Sequence, residues 1–195
     1  MTVTKKDVSY FAKIIGVLLL ITMCVAALLS LVNAITKDTI TENEAKKTSE
    51  AIKQLFPTAT SPVATDTKTS LDDDSLVALY KVKDGESEIG YYAEVAPTGF
   101  KGKITMLVGM DNDGKVCGIQ ILSHGETVGI GDKIENPDFL ARLTGKSGSV
   151  TYKKGADGSG SEIDGISGAT YSSKAVIAGT NTALKAYNTY KGGAA

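Results

Sequence analysis

Hydrophobic and polar positions change their rhythm several times along the chain. The first regime is continuous: "IIGVLLLITMCVAALLSLVNA", Ile14 to Ala34, carries no charged residue. Roughly 20 residues at 1.5 Å rise give a helix of about 30 Å, the hydrocarbon thickness of a bilayer, which predicts a membrane-spanning helix over 14–35. A cleaved signal peptide fits less well, because its apolar region typically runs only about 7 to 15 residues. A lipoprotein signal fits less well again, since Met23 precedes Cys24 where a small residue is expected. The second regime has helical spacing. In "TITENEAKKTSEAIKQLFP" the residues Ala45, Thr48, Ile52, Leu55 and Phe56 share one face, and Thr41 with Glu44 reads as a capping box opening a new helix that closes before Pro57. The following "TATSPVATDTKTSLDDDS" has no period and reads as a loop or linker.

Strand character then takes over. "LVALYKV", "IGYYAEV", "KITMLVGM" and "KVCGIQIL" are separated by "KDGESE", "PTGFKG" and "DNDG", the spacing of an antiparallel meander. Beyond them "NPDFLARLTG" reads as a short helix, "SVTYKK" as a strand and "GADGSGSE" as a flexible tip. The tail "SSKAVIAGTNTALKAYNTY" places Ala175, Val176, Gly179, Ala183, Leu184 and Tyr187 at helical spacing, with Ser172 or Ser173 as the natural N-cap. The predicted fold class is α+β: one amino-terminal transmembrane helix, then a single domain with a mostly antiparallel sheet and flanking helices. The predicted boundaries are 1–13 for the amino terminus, 14–35 for the span, 36–75 for a connecting helix and linker, and 76–195 for the folded domain.

Charge orients this arrangement. Lys5, Lys6 and Lys13 flank the span on one side, whereas Lys37 stands among Asp38, Glu42 and Glu44 on the other. The positive-inside rule therefore puts the amino terminus in the cytoplasm and the domain outside, tethered to an inner membrane. The 195 residues carry a formal net charge of −1 and no run of Lys or Arg, which gives no footing for nucleic-acid binding. The two cysteines, Cys24 in the span and Cys117 in the domain, cannot pair within the chain, and no Cys/His spacing suggests a metal. Cys117, in "VCGIQIL", is expected as a buried strand residue rather than a reactive thiol.

The candidate chemistry lies in "DGISGATYSS", Asp164 to Ser173, just before the last helix. The first amides of a helix offer unsatisfied N–H groups and a positive dipole end. Gly165, Gly168 and Ala169 would let a phosphate approach the backbone, and Ser167, Thr170 and Ser172 could hydrogen-bond to it or be esterified by it. A plain Gly-Ser turn leading into a helix is the competing reading. Other motifs fail on their mismatches. "GISGA" approaches a hydrolase elbow with Ser167 as nucleophile and His124 as base, but Ala169 replaces the final Gly and no buried strand precedes it. "GKS" at 145–147 lacks the first Gly of a phosphate loop, Leu140 standing there, and in "MDNDGKV" Gly114 falls at the fourth rather than the sixth position of a calcium loop. An Asp-Gly hairpin turn is the better reading of the last.

The same turn resembles the flavinylation motif of the FMN-binding domain family, found in the G subunit of the Rnf electron-transport complex and the C subunit of the sodium-pumping NADH:quinone reductase. Asp164, Ser167, Gly168, Ala169, Thr170 and Ser172 meet its pattern. A second block, "ILSHGETVGIGDKI", is similar to the family's His-x-Glu-Thr-Pro-Gly-Leu-Gly-x-Lys segment through His124, Glu126, Thr127, Gly129, Gly131 and Lys133. Val128 replaces the usual Pro and Ile130 the usual Leu. "PTGFKGKITMLVGMDNDGKVCGI" looks like the family's lead-in, and the short polar link looks more like the Rnf G subunit than its quinone-reductase counterpart.

The resemblance implies covalent FMN, joined by its phosphate to the Thr170 hydroxyl by a separate flavin transferase that uses FAD and a metal ion. It implies that Asp164 and the Gly-Ala turn shape the site that enzyme recognises, and that the flavin ring lies against "ETVGIG" with Thr127 and Ile130 nearest. It further implies a subunit that relays electrons within a membrane complex coupling ferredoxin and NAD to movement of sodium ions or protons, without a complete catalytic site of its own. The alternatives are a C-type component of a sodium-pumping NADH:quinone reductase, a membrane-anchored serine hydrolase using Ser167 and His124, and a non-redox scaffold.

Overall fold

The computed structural model describes residues 5–67, 71–155 and 160–193. The chain falls into two compact units, Met1–Lys46 and Lys47–Ala195. The first consists of the larger part of a single helix, α1 (Lys5–Leu55). Its large apolar side chains, Leu18, Leu20, Leu28 and Leu29 among them, are exposed around the whole circumference. An apolar window of mean hydropathy 2.8 with none of its residues buried makes α1 long and apolar enough to cross a membrane.

The capping box expected at Thr41 does not form. The helix runs unbroken through it, the Thr41 hydroxyl donates to the Lys37 carbonyl at 3.0 Å, and Lys46 pairs with Glu42 at 2.7 Å across one turn. A hydroxyl caps only where a helix begins. No Gly or Pro interrupts 35–55, so propagation, which adds one bond per residue, carries the helix on.

The second unit is organised by a five-stranded antiparallel sheet in the order β1-β2-β3-β4-β5: β1 (Pro62–Asp66), β2 (Leu76–Asp84), β3 (Ser87–Val95), β4 (Thr105–Met110) and β5 (Val116–Ser123). Strand β1 corrects the sequence reading, which left this stretch as linker. It pairs with β2 from Pro62↔Asp84 to Asp66↔Tyr80, yet none of its side chains is buried. An edge strand with only Ala64 packed against the core shows little period of two, and backbone pairing does most to specify it. The expected meander is present, with a β2–β3 turn through Gly85 at φ 62° and a β4–β5 turn in which the Asp111 carboxylate accepts the Asp113 and Lys115 amides at 2.9 and 2.8 Å.

Both faces of the sheet are covered. On one, Leu79, Tyr91, Val95, Met106 and Val108 pack with Val176, Ala183, Leu184 and Tyr187 of α3 (Thr170–Gly193). On the other, Ala51, Leu55 and Phe56, at the end of α1 and just past it, pack with Val82, Tyr92 and Leu107. The connection from β5 to α3 carries a 3-10 turn (Gly131–Glu135), a short helix α2 (Pro137–Ala141) capped by the Asn136 side chain, and a two-residue parallel pair, β6 (Thr151–Tyr152) with β7 (Glu162–Ile163). Residues 156–159, half of the tip expected at "GADGSGSE", lie outside the described residues.

Cys117 departs from its expected burial: the residue as a whole is exposed, although its sulfur lies against α1, 3.7 Å from the Leu55 carbonyl. Burial of the sulfur pushes the thiol up to about 11. At pH 8 Cys117 is therefore expected to alkylate about a hundredfold more slowly than an ordinary thiol, as peptide mapping after timed iodoacetamide treatment would show.

Far along α3 from its first turn, Glu88 joins three elements. It accepts from the Tyr91 hydroxyl, pairs with Lys81 at 3.0 Å and with Lys191 at 3.4 Å, and the Lys191 ammonium lies 4.9 Å from the centre of the Tyr91 ring. The Tyr91 hydroxyl bond, against the opposing effect of burial and with Lys81 assisting, holds the carboxyl down at about 2. A depressed carboxyl stabilises the fold above its unfolded value, near 4.5, and that contribution fades as pH falls toward 2. Thermal melts between pH 5 and 2 are thus expected to fall more steeply for the wild-type chain than for Glu88→Gln.

Candidate functional site

Three segments meet at the first turn of α3: the loop after β3 (97–104), the loop after β5 (124–131) and the turn 164–170. The last of these is set by its own polar groups. The Asp164 carboxylate accepts the Gly155 amide at 2.8 Å, its carbonyl accepts from Arg142 at 3.0 Å, and the Ser173 hydroxyl oxygen accepts the Ile166 amide at 2.9 Å. Gly165 sits so close to the Tyr152 ring and to Ser173 that a Cβ there would lie 2.5 and 3.0 Å from them. Gly168 adopts φ 82°, the left-handed region that a glycine occupies without strain, and turns the chain into the helix.

The helix begins at Thr170, ahead of both serines expected to cap it. Ser172 and Ser173 lie inside its first turn, buried, and their hydroxyls reach neighbouring segments instead of the helix's own amides. Tertiary partners took the groups that local capping would have used. Thr170 is half-buried and Ser167 exposed. Among the described residues, the Thr170 hydroxyl makes no hydrogen bond.

Glu126 ties the three segments together. It is 6% exposed, and its Oε1 accepts the Phe100 and Lys101 amides at 2.9 and 3.1 Å while Oε2 accepts the Ser172 hydroxyl at 2.5 Å. Burial alone would raise its carboxyl, but the Ser172 hydroxyl and the two amides outweigh that and hold it below its ordinary value. Two glycines leave room for it: a Cβ on Gly99 would sit 2.4 Å from Oε1, and one on Gly131 would sit 2.8 Å from the Glu126 Cβ. His124 buttresses the loop from behind. Its Nδ1 accepts the Glu126 amide at 3.2 Å and its Nε2 lies 3.0 Å from Glu135. The Thr127 carbonyl then closes the loop by accepting the Ile130 and Gly131 amides at 3.2 and 2.7 Å.

Clefts open on both sides of the Gly168–Thr170 ridge. One, of about 180 Å³, is lined by Phe100, Glu126, Thr127, Ile130, Gly131, Gly168, Ala169, Tyr171 and Ser172. The other, of about 270 Å³, is lined by Tyr152, Lys154, Gly155, Asp164, Gly165, Ile166, Ser167, Gly168 and Thr170. The first is apolar at its rim: Phe100 and Tyr171 are 64% and 71% exposed, with ring centres 6.1 Å apart. Flat apolar walls beside a turn with a free hydroxyl suit an aromatic group carrying a phosphate.

The structure thus brings together, at one ridge, ten of the thirteen residues singled out in the sequence: Asp164, Ser167, Gly168, Ala169, Thr170 and Ser172 with Glu126, Thr127, Ile130 and Gly131. Gly129, His124 and Lys133 line neither cleft. Gly129 supplies φ 81° and donates its amide to Asp132 at 2.8 Å, His124 supports Glu126, and Lys133 is exposed on the 3-10 turn. Ser167 has no hydrogen bond to His124, whose two nitrogens already face Glu126 and Glu135, so the hydrolase arrangement is absent. Sequence reasoning passed over Phe100 and Tyr171 as cleft walls. Phe100 lies in the Gly-Phe-x-Gly-x-Ile lead-in without being marked as a wall, and Tyr171 fills the variable place between Thr170 and Ser172.

Comparison with known proteins bears on this geometry. The FMN-binding domain family matches residues 99–185, and the RnfG N-terminal region family matches residues 16–55. The chain is 31% identical over 190 residues to the G subunit of the ion-translocating oxidoreductase complex of Vibrio vulnificus, covering 90% of this chain and 89% of that one. It is 32% identical to the corresponding G subunit of Methanosarcina acetivorans (91% and 95% covered). To the G subunit of the Na(+)-translocating ferredoxin:NAD(+) oxidoreductase complex of Acetobacterium woodii it is 31% identical (94% and 97%). Among solved structures, NqrC of Shewanella oneidensis matches with a TM-score of 0.52 at 16% identity, over 72% of this chain and 86% of that one. The C subunit of the Na(+)-translocating NADH-quinone reductase from Parabacteroides distasonis matches at 0.51 and 20% identity, over 68% and 77%; both similarities concern the fold. By identity and coverage together, the chain belongs to the family of G subunits of ion-translocating oxidoreductase complexes.

Proposed function

We propose that this chain is the electron-carrier component of an ion-translocating oxidoreductase complex of the ferredoxin:NAD type, anchored by α1 and carrying FMN esterified to Thr170. One observation carries the choice of residue. Of the hydroxyls in the turn, Ser172 and Ser173 are buried and engaged, whereas Ser167 and Thr170 line a cleft unengaged among the described residues, and of these two Thr170 stands at the first position of α3, beside the helix amides. The residues present fit the group. The first amides of α3 are oriented to offset a phosphate charge, and a Cβ at Gly168 would meet only Ile130, at 3.7 Å, so the backbone is open to a ligand.

When bound, FMN supplies the transfer of one or two electrons at a time. The chain does the rest. Thr170 Oγ1 would take the FMN phosphoryl group from FAD in the active site of a flavin transferase, the P–O bond to AMP breaking as the Oγ1–P bond forms and the hydroxyl proton passing to a base of that enzyme. Asp164 holds the turn for that enzyme by fixing Gly155, and Ser167 and the small residues leave its approach clear. Phe100, Ile130 and Tyr171, with Thr127, form the apolar wall that keeps water from the ring. With Lys5, Lys6 and Lys13 on the cytoplasmic flank, the domain lies outside the cell membrane, where a lost cofactor could not readily be replaced and a covalent bond retains it.

The C-type reading is less favoured, because the G-type relatives match nearly end to end while the C-type structures support the fold. Expressing the full chain with and without a flavin transferase and measuring intact mass tests the proposal. The expected outcome is a gain of one FMN less one water, only with the transferase, mapped to the peptide containing Thr170. An unchanged mass in both cases would leave the scaffold reading.

A further inference from the structure

Among the described residues, Glu126 is the only carboxylate, ammonium or guanidinium side chain that is buried. A buried charge is costly without a counter-ion, and no cation forms an ion pair with this one among the described residues. The nearest titratable group, His124, meets the Glu126 backbone amide through Nδ1 and Glu135 through Nε2, and forms no ion pair with the Glu126 carboxylate. Lys101 contributes only its backbone amide, as does Phe100, and Ser172 only a hydroxyl. The fold nevertheless spends two glycines, Gly99 and Gly131, on making room for it. A glutamine could still accept both amides through Oε1 and donate to the Ser172 oxygen instead of accepting from it, which directs attention to the charge.

We propose that Glu126 is the positioning residue of the flavin cleft, holding the Phe100 and Ser172 walls together while setting a fixed negative charge beside the bound flavin that keeps its reduction potential low. The inference rests on FMN occupying the cleft lined by Glu126. The step concerned is the addition of one electron, supplied by a reduced carrier of the complex, with no bond made to the protein and no proton taken by Glu126. Added negative charge is disfavoured beside a carboxylate in a partly desolvated cleft, where Coulomb effects are stronger than in water. The lowered acidity range of Glu126 keeps it ionised through neutral pH.

The test uses the flavinylated full-length chain. Glu126→Gln retains shape and can still accept the Phe100 and Lys101 amides, but it removes the charge. Its flavin is expected to titrate at higher potential, shifting the one-electron equilibrium toward reduction about tenfold, ~59 mV. Ser172→Ala, which keeps the charge, is expected to shift it less than threefold. A second readout needs no flavin: in the unflavinylated chain, exchange of the Phe100 and Lys101 amides with deuterium rises at least tenfold in Glu126→Ala and stays near wild type in Glu126→Gln. An unchanged potential in Glu126→Gln with flavin attached overturns the electrostatic role, and unchanged exchange in Glu126→Ala overturns the positioning role. Where Glu126→Gln does not fold, Glu126→Asp replaces it, with potential kept and exchange raised. A wild-type chain that takes up no flavin defeats the proposed function and, with it, the electrostatic role, while the exchange measurement still decides positioning.

Discussion

Thr170→Ala is expected to yield a folded, membrane-inserted chain with no covalent flavin, even when a flavin transferase is present in excess. The substitution removes the oxygen proposed to form the ester. Thr170 is half-buried at the start of α3 and its hydroxyl supports no neighbour, so the loss in stability should stay within about 0.5 kcal/mol, the ordinary range for such a site. Intact mass and in-gel fluorescence report the flavin; a thermal melt reports the fold. Two companion variants give the result its meaning. Ser167→Ala should still be flavinylated, since Ser167 is exposed and outside the helix. Ser172→Ala should remain flavinylated but lose stability, about 1–3 kcal/mol, because a buried carboxylate is left short of a donor. Covalent flavin persisting on Thr170→Ala would move the attachment elsewhere in the turn.

The largest effect on stability is expected at Phe56. Its ring is 7% exposed, lies over the sheet beside Leu107 and Tyr92, and fills the space that a Cβ on Gly90 would take, 2.7 Å from Phe56 Cε1. Phe56→Ala should cost about 3–5 kcal/mol, the range for removing a buried aromatic ring. For a unit of this size that lowers the melting temperature by roughly 10 °C or more. Flavin attachment should survive at low temperature, since the turn at Thr170 lies on the α3 side of the structure, away from this cluster. A melting temperature within two degrees of wild type would show that the end of α1 contributes little to the packing of the sheet.

Phe56 also illustrates what was legible. Its helical spacing with Ala45, Thr48, Ile52 and Leu55 identified an apolar stripe, of which Ile52, Leu55 and Phe56 pack on the sheet while Ala45 is exposed. The helix to which the stripe belongs was misjudged, because Thr41 and Glu44 look like a cap in isolation and the uninterrupted chain around them decides otherwise. Strand β1 was illegible for a different reason: none of its side chains is fully buried and only Ala64 packs against the core, so its pairing with β2 left too little alternation to read. In the site, the motif residues were found by type and spacing, and the structure sorted them by burial. His124 proved a support for Glu126, Lys133 an exposed side chain, Phe100 of the lead-in a cleft wall, and Tyr171 a cleft wall that no pattern had marked.

By itself the sequence determined the apolar span, the meander, the final helix and the turn that precedes it. Those follow from local periods and turn chemistry, which depend on near neighbours in the chain. Only the tertiary structure decided which hydroxyls are engaged, and it leaves Ser167 and Thr170 unengaged among the described residues. Ser172 and Ser173 are chemically as able as Thr170 to take a phosphate, but Glu126, 46 residues away from Ser172, claims one and the Ile166 amide claims the other. A hydrogen bond between segments distant in sequence, formed where water is excluded, sets that distinction, and no local pattern carries it.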